Sequence, residues 1–105
     1  MKIVCMCQYG HNRSQAAAYV LSRDEGGNHE TVAIGHGTAG PQLKAFLFDW
    51  ADRIIIMEGC FCPHIPEQYH CKVLVFDVGP ERYGHPRHPE LIVAVKAMAK
   101  RDGLV

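Results

Sequence analysis

Apolar residues in this chain fall into two alternating kinds of run: short β-branched stretches, and longer stretches whose apolar positions recur every three or four residues. Lys2 to Met6 reads as a first strand, and its Ile3-Val4 run suits a strand covered on both faces. Ser14 to about Arg23 reads as a helix with Ala17, Val20 and Leu21 on one face, ended by the turn cluster Asp24-Glu25-Gly26-Gly27-Asn28. Thr31 to Ile34 is a second short strand. Gly40-Pro41 then opens a helix, with proline at the first helical position, where a missing N–H costs nothing. Leu43, Phe46, Leu47 and Trp50 recur at helical intervals and predict the face that this helix lays on a sheet.

Arg53 to Met57 is a third, strongly β-branched strand, and Gly59 to His70 is an irregular stretch interrupted by Pro63 and Pro66. Lys72 to Phe76 predicts a fourth strand, and Asp77 to His88 a loop rich in Gly, Pro and His. The last helix runs from Pro89 to about Arg101. Glu90 complements its N-terminus, Lys96, Lys100 and Arg101 its C-terminus, and Gly103 stops it. Strands alternating with helices imply right-handed crossovers, hence an α/β fold of three layers around a four-stranded parallel sheet. Ligands of such sheets bind beyond the carboxyl ends of the strands. Cys7, Gly37, Thr38, Glu58 and Asp77 all follow predicted strand ends and are expected to gather on one rim.

The stretch Lys2 to Ala18, KIVCMCQYGHNRSQAAA, carries the chemistry. Cys7 closes the first strand, five residues follow, and then come Arg13 and Ser14 at a helix start. So short a loop turns successive backbone N–H groups inward, and the helix N-terminus adds positive dipole. The expected product is a cup the size of an oxyanion. A thiolate at its rim would be stabilised by those N–H groups and by Arg13. Arg13 can also grip two phosphate oxygens with its planar fork, and Gly10 lets the backbone come close to the anion or take a positive φ. Taken singly, a cysteine ending an apolar strand is a small hydrophobe and an arginine at a helix start is solvated. Their joint order and spacing favour the cup.

A Cys, five residues, Arg and Ser resembles the signature loop of cysteine-dependent phosphatases. Its position, directly after the first strand, resembles the low-molecular-weight protein tyrosine phosphatase family in a shortened form. Gly35-His36-Gly37-Thr38 resembles that family's Ser-Ala-Gly-Thr. Trp50-Ala51-Asp52 with Ile54-Ile55-Ile56-Met57-Glu58 resembles its third strand. Pro80-Glu81-Arg82-Tyr83-Gly84 resembles its acid-bearing Asp-Pro-Tyr loop, and Pro89-Glu90-Leu91-Ile92 the start of its last helix. The resemblance implies hydrolysis of phosphotyrosine-like monoesters through a phosphocysteine on Cys7, with no cofactor or metal. Arg13 and the amides of Gln8, Tyr9, Gly10, His11 and Asn12 would hold the phosphoryl oxygens. Ser14 would donate to the Cys7 sulfur or, in a purely structural role, cap the helix. Two residues compete as general acid: Glu81, placed by the resemblance, and Asp77, favoured because a strand end is rigid. Tyr9 and Tyr83 would flank the opening and stack on an aromatic ester. The expected substrate is a phosphorylated protein or a small aryl phosphate.

Length and composition fit this reading. The 105 residues make a single domain that buries ~65% of its unfolded surface, enough for a core without staples. Eleven basic residues balance eleven acidic ones, so no bulk field draws nucleic acid or an anionic membrane. The opening apolar run is too short for a signal peptide or a span, which points to the cytoplasm. Five cysteines do not make a disulfide framework; an odd count in a reducing compartment means thiols or ligands. Asn12 stands where the family commonly has a second cysteine, and a Cys5–Cys7 bridge is unfavourable two residues apart on one strand. Three alternatives remain. Cys60, Cys62 and Cys71 lie near the redox cysteines of thioredoxin-coupled arsenate reductases, which share the fold. The same cysteines with His64 and His70 could form a zinc-bound interaction site, although one residue between Cys60 and Cys62 is short for zinc. A phosphate-binding module without turnover would follow if neither acid reaches the leaving group.

Overall fold

A computed structural model describes residues 1–23, 28–80 and 82–105 of the chain. Residues 24–27 of the turn expected over 24–28, and the candidate acid Glu81, lie outside the described residues. Strands β1 (Lys2–Cys7), β2 (Glu30–Gly35), β3 (Arg53–Ile56) and β4 (Val73–Val75) form one parallel sheet in the order β2-β1-β3-β4. Helices α1 (Arg13–Arg23), α2 (Pro41–Trp50) and α3 (Pro89–Arg101) fill the connections. Two 3₁₀ helices, Gly59–His64 and Glu67–Lys72, give the expected irregular stretch its form. Parallel pairing sets Cys7 opposite Gly35 and Met6 opposite Ile56, so the strands end on one rim.

β1 is buried on both faces, and the period of two along it divides the core. Ile3, Cys5 and Cys7 face α1 and α3, meeting Ala16, Ala17, Val20, Leu91 and Val95. Val4 and Met6 face the other way, toward Leu47 and Phe48 of α2 and Phe61 and Ile65 beyond β3. The third and fourth strands are each a little shorter than expected. The Met57 N–H donates to the Met6 carbonyl at 3.0 Å and the Phe76 N–H to the Ile56 carbonyl at 2.9 Å, so ladder bonding continues past both ends. At the outer edge of the sheet, the Arg101 guanidinium donates to the Val75 carbonyl at 3.1 Å.

One expectation about α2 is corrected. Leu43 and Phe46 (67% exposed) face solvent, while Leu47, Phe48 and the following Ala51 are buried, with Lys44 and Trp50 half-buried. The packed stripe is 44-47-48-51, one step round from 43-46-47-50. Apolar residues at 43, 45, 46, 47, 48, 50 and 51 leave the helix's rotation open, and the bulk of Phe48 against the sheet decides it.

Candidate active site

The wall of the cup is built from carbonyls held outward. The His36 N–H donates to the Cys7 carbonyl at 2.7 Å, and the Gly37 N–H to the Gln8 carbonyl at 2.8 Å. The Thr38 hydroxyl donates to the Tyr9 carbonyl at 3.4 Å, and the Gln15 side-chain amide to the Gly10 carbonyl at 3.1 Å. In a trans peptide the N–H points away from the preceding carbonyl, so anchoring these carbonyls outward turns the following N–H groups toward the centre. Gly10 takes φ +75°, where a Cβ would also stand 2.7 Å from the Gly35 nitrogen. Gly35 is equally confined: a Cβ there would meet the Tyr9 carbonyl carbon at 2.4 Å. The Gly35–Thr38 turn therefore backs the cysteine loop by direct contact of main chain on main chain.

Cys7 is buried at the base of the cup. Its Sγ accepts the Gly10 N–H at 3.2 Å and donates to Ser14 Oγ at 3.1 Å. The first helical bond of α1 runs from the Ala16 N–H to the Asn12 carbonyl, which makes Asn12 the N-cap. The helix-capping role considered for Ser14 is thus not its position; Ser14 is the second residue of the helix, its hydroxyl turned to the sulfur. Cys5 shares the Cys7 face deep in the core, and burial, then the neighbouring Cys7, pushes its thiol far above the ordinary value. All five cysteines are free, so no Cys5–Cys7 bridge is present.

Arg13, 2% exposed, projects from the start of α1 to the opposite strand end. Its guanidinium is paired with the Glu58 carboxylate and donates to the Gly79 carbonyl at 3.1 Å. The Cys60 thiol donates to the other Glu58 oxygen at 3.4 Å. Local desolvation, then the bond to Glu58 and its charge, raises the Cys60 thiol above its ordinary value. Sequence placed Glu58 on the rim but gave it no role; only the fold brings it to Arg13, 45 residues away. Asp77, exposed after β4, accepts the Gly79 N–H at 3.1 Å. The 77–79 turn therefore joins the candidate acid to the peptide that anchors Arg13.

No family model matches the chain, and no curated protein matches it in sequence. Solved structures do match. A YwlE mutant from Bacillus subtilis aligns over 98% of this chain and 99% of its own, at 19% identity and a TM-score of 0.63. The YwlE arginine phosphatase from Geobacillus stearothermophilus aligns over 98% and 88%, at 16% identity and a TM-score of 0.68. Vibrio vulnificus Wzb, solved in complex with benzylphosphonate, aligns over 95% and 97%, at 16% identity and a TM-score of 0.65. The chain has the low-molecular-weight phosphatase fold.

Within that fold the remaining expected residues are dispersed unevenly. Tyr9 stands 59% exposed on the cysteine loop, with His11 also exposed and Gln8, Gly10 and Asn12 half-buried. Tyr83, expected beside it at the opening, is instead 7% exposed and packed in the α1–α3 core. Its hydroxyl donates to the Val78 carbonyl at 2.6 Å, and the Arg82 guanidinium lies over its ring at 4.3 Å. A phenol that finds an internal acceptor can be buried, and this one is used to pin the loop after β4. Cys60 and Cys71 are exposed and Cys62 half-buried. Among the described residues no group of three His, Cys, Asp or Glu side chains could hold a metal ion, so the zinc site considered for Cys60, Cys62, His64, His70 and Cys71 does not assemble. Among the described residues no helix is long and apolar enough to cross a membrane.

Proposed function

We propose that this protein is a cysteine-dependent phosphatase that hydrolyses phosphotyrosine-like phosphate monoesters through a phosphocysteine intermediate. The carrying observation is Cys7 Sγ at the base of the cup, receiving the Gly10 N–H at 3.2 Å and bonded to Ser14 Oγ at 3.1 Å. The ionised sulfur attacks phosphorus in line; the phosphorus–sulfur bond forms as the ester bond breaks. Once the sulfur is ionised, the Ser14 hydroxyl turns to donate to it. Inward N–H groups and the Arg13 fork hold the three equatorial oxygens, whose charge spreads in the transition state. Asp77 protonates the leaving oxygen, then takes a proton from the water that cleaves the phosphorus–sulfur bond and returns the thiolate. Glu81 is the competing acid. Tyr9 lies against the aromatic ring of the ester, and the amides of Gln8, Gly10, His11 and Asn12 complete the cradle. The reaction calls for no metal or cofactor, and free thiols suit a cytoplasmic setting.

The test compares wild type with Cys7→Ser on an aryl phosphate in the presence of a chelator. Wild type is expected to release phosphate, and the variant to lose at least about a thousandfold. Equal turnover in the two would remove Cys7 from the reaction. One of the fold neighbours is named an arginine phosphatase, so the substrate panel includes a phosphoarginine peptide; faster turnover of that peptide would replace the tyrosine assignment. Thioredoxin-dependent reduction of arsenate, lost on replacing Cys60, Cys62 or Cys71, would favour the reductase alternative instead.

A further inference from the structure

Beside the cup, three groups able to carry positive charge are drawn together from two elements and one turn. The Lys44 ammonium on α2 donates to His36 Nδ1 at 3.4 Å. The His64 ring, from the 3₁₀ helix Gly59–His64, lies 4.3 Å from the His36 ring between centroids, and the Phe61 ring lies 5.8 Å from it. Among the described residues none of the three has a carboxylate partner. Lys44 and His64 also line a cavity of about 200 Å³, walled by Pro41, Ala45, Phe48 and Pro66. Bringing like charges together without a counter-ion is unfavourable, so the arrangement holds at neutral pH because His36 stays uncharged. Burial, then Lys44, then His64 keep its pKa below the ordinary imidazole value. An oxyanion in this cavity would meet the Lys44 ammonium and the His64 ring, with the His36 ring directly behind them, bonded to Lys44 and stacked near His64.

The place of the cluster connects it to the site already described. His36 donates its backbone N–H to the Cys7 carbonyl at 2.7 Å, and the next residue bonds the Gln8 carbonyl. The turn that holds the cup's wall therefore also carries the first ring of the cluster. We propose that His36, Lys44 and His64 form a second anion subsite, which receives the carboxylate of an acidic side chain next to the phosphorylated residue of a peptide substrate. This rests on the phosphatase reading and narrows it to acidic phosphopeptides. Binding of the carboxylate offsets the repulsion that Lys44 and His64 exert on His36, so His36 takes up a proton more readily and the preference strengthens as pH falls. The groups facing His36 are Lys44 from α2 and His64 and Phe61 from the 3₁₀ helix, and no described carboxylate opposes that sign.

Two matched phosphotyrosine peptides, one with Glu and one with Gln beside the phosphorylated residue, supply the first measurement. The Glu peptide is expected to show about fivefold higher kcat/KM, the size of a few partly screened charge contacts. That ratio should be larger at about pH 6 than at about pH 8. It should fall toward one in Lys44→Gln and in His64→Gln, and be kept in Lys44→Arg. The second measurement follows the ring resonances of His36 and His64 by NMR as sulfate is added to wild type and to Lys44→Gln. Rings that shift in wild type and not in Lys44→Gln support the subsite, even in a protein that turns over neither peptide; that result would sink the phosphatase reading alone. Equal kcat/KM for the two peptides in an active enzyme, or rings indifferent to sulfate, overturns the proposal.

Discussion

Arg13 is held by the Glu58 carboxylate and by the Gly79 carbonyl. A guanidinium fixed in this way meets phosphate without first losing side-chain freedom, while part of its charge is already answered. In Glu58→Gln the charge is restored to Arg13 but its aim is loosened. The expected result is a kcat lower by about tenfold, with inhibition by inorganic phosphate no weaker than in wild type, read by steady-state kinetics. Asp77 is bonded to the turn that anchors Arg13, at 3.1 Å from the Gly79 nitrogen. Replacing it with alanine is expected to slow a phenyl phosphate far more than a nitrophenyl phosphate, because only the poorer leaving group needs the proton. A uniform loss on both would instead assign Asp77 to holding Arg13. Of these residues, Cys7, Arg13 and Ser14 were legible as a spacing. Glu58 was legible only as a strand-end residue on the rim; its pairing with Arg13 was not, since the two lie 45 residues apart.

At the level of elements, the turn after β2 braces the cysteine loop. Gly35 has no room for a side chain, and a Cβ there would fall 2.4 Å from both Thr38 Oγ1 and the Tyr9 carbonyl carbon. Gly35→Ala is therefore expected to push the loop off its outward anchors. Stability should drop by about 1–3 kcal/mol in urea titrations, and kcat/KM should fall by more than the fraction unfolded explains. The strands and the last helix were readable because their signals are local: β-branched runs between polar turns, and proline and glycine at opposite helix ends. The face of α2 was not. Apolar side chains surround most of that helix, and the choice among them is made by Phe48 against the sheet. Tyr83 was misplaced for a similar reason, since its hydroxyl satisfies a carbonyl of its own loop and frees the ring to enter the core.

For the molecule as a whole, acid is expected to erode stability in two stages. His36 has a folded pKa below its ordinary 6.5, so the unfolded chain binds the proton more readily. Its contribution is complete above that value and is lost as pH falls below it. Asp52 follows at lower pH. The Lys2 backbone N–H donates to its carboxylate at 2.8 Å and, as the largest cause, holds it below the ordinary 3.8. That contribution is present above the ordinary value and is lost as pH falls through the folded one. Urea midpoints measured from neutrality downward should show both stages, with the first flattened in His36→Gln. The sheet also has two outer edges, β2 and β4, each offering backbone groups to any strand that comes near. On β4 the Val75 carbonyl is already taken by the Arg101 guanidinium, and the strand spans only three residues. The guanidinium occupies an acceptor that a second molecule's strand would need, so Arg101→Ala is expected to make concentrated protein associate more readily, read by sedimentation velocity.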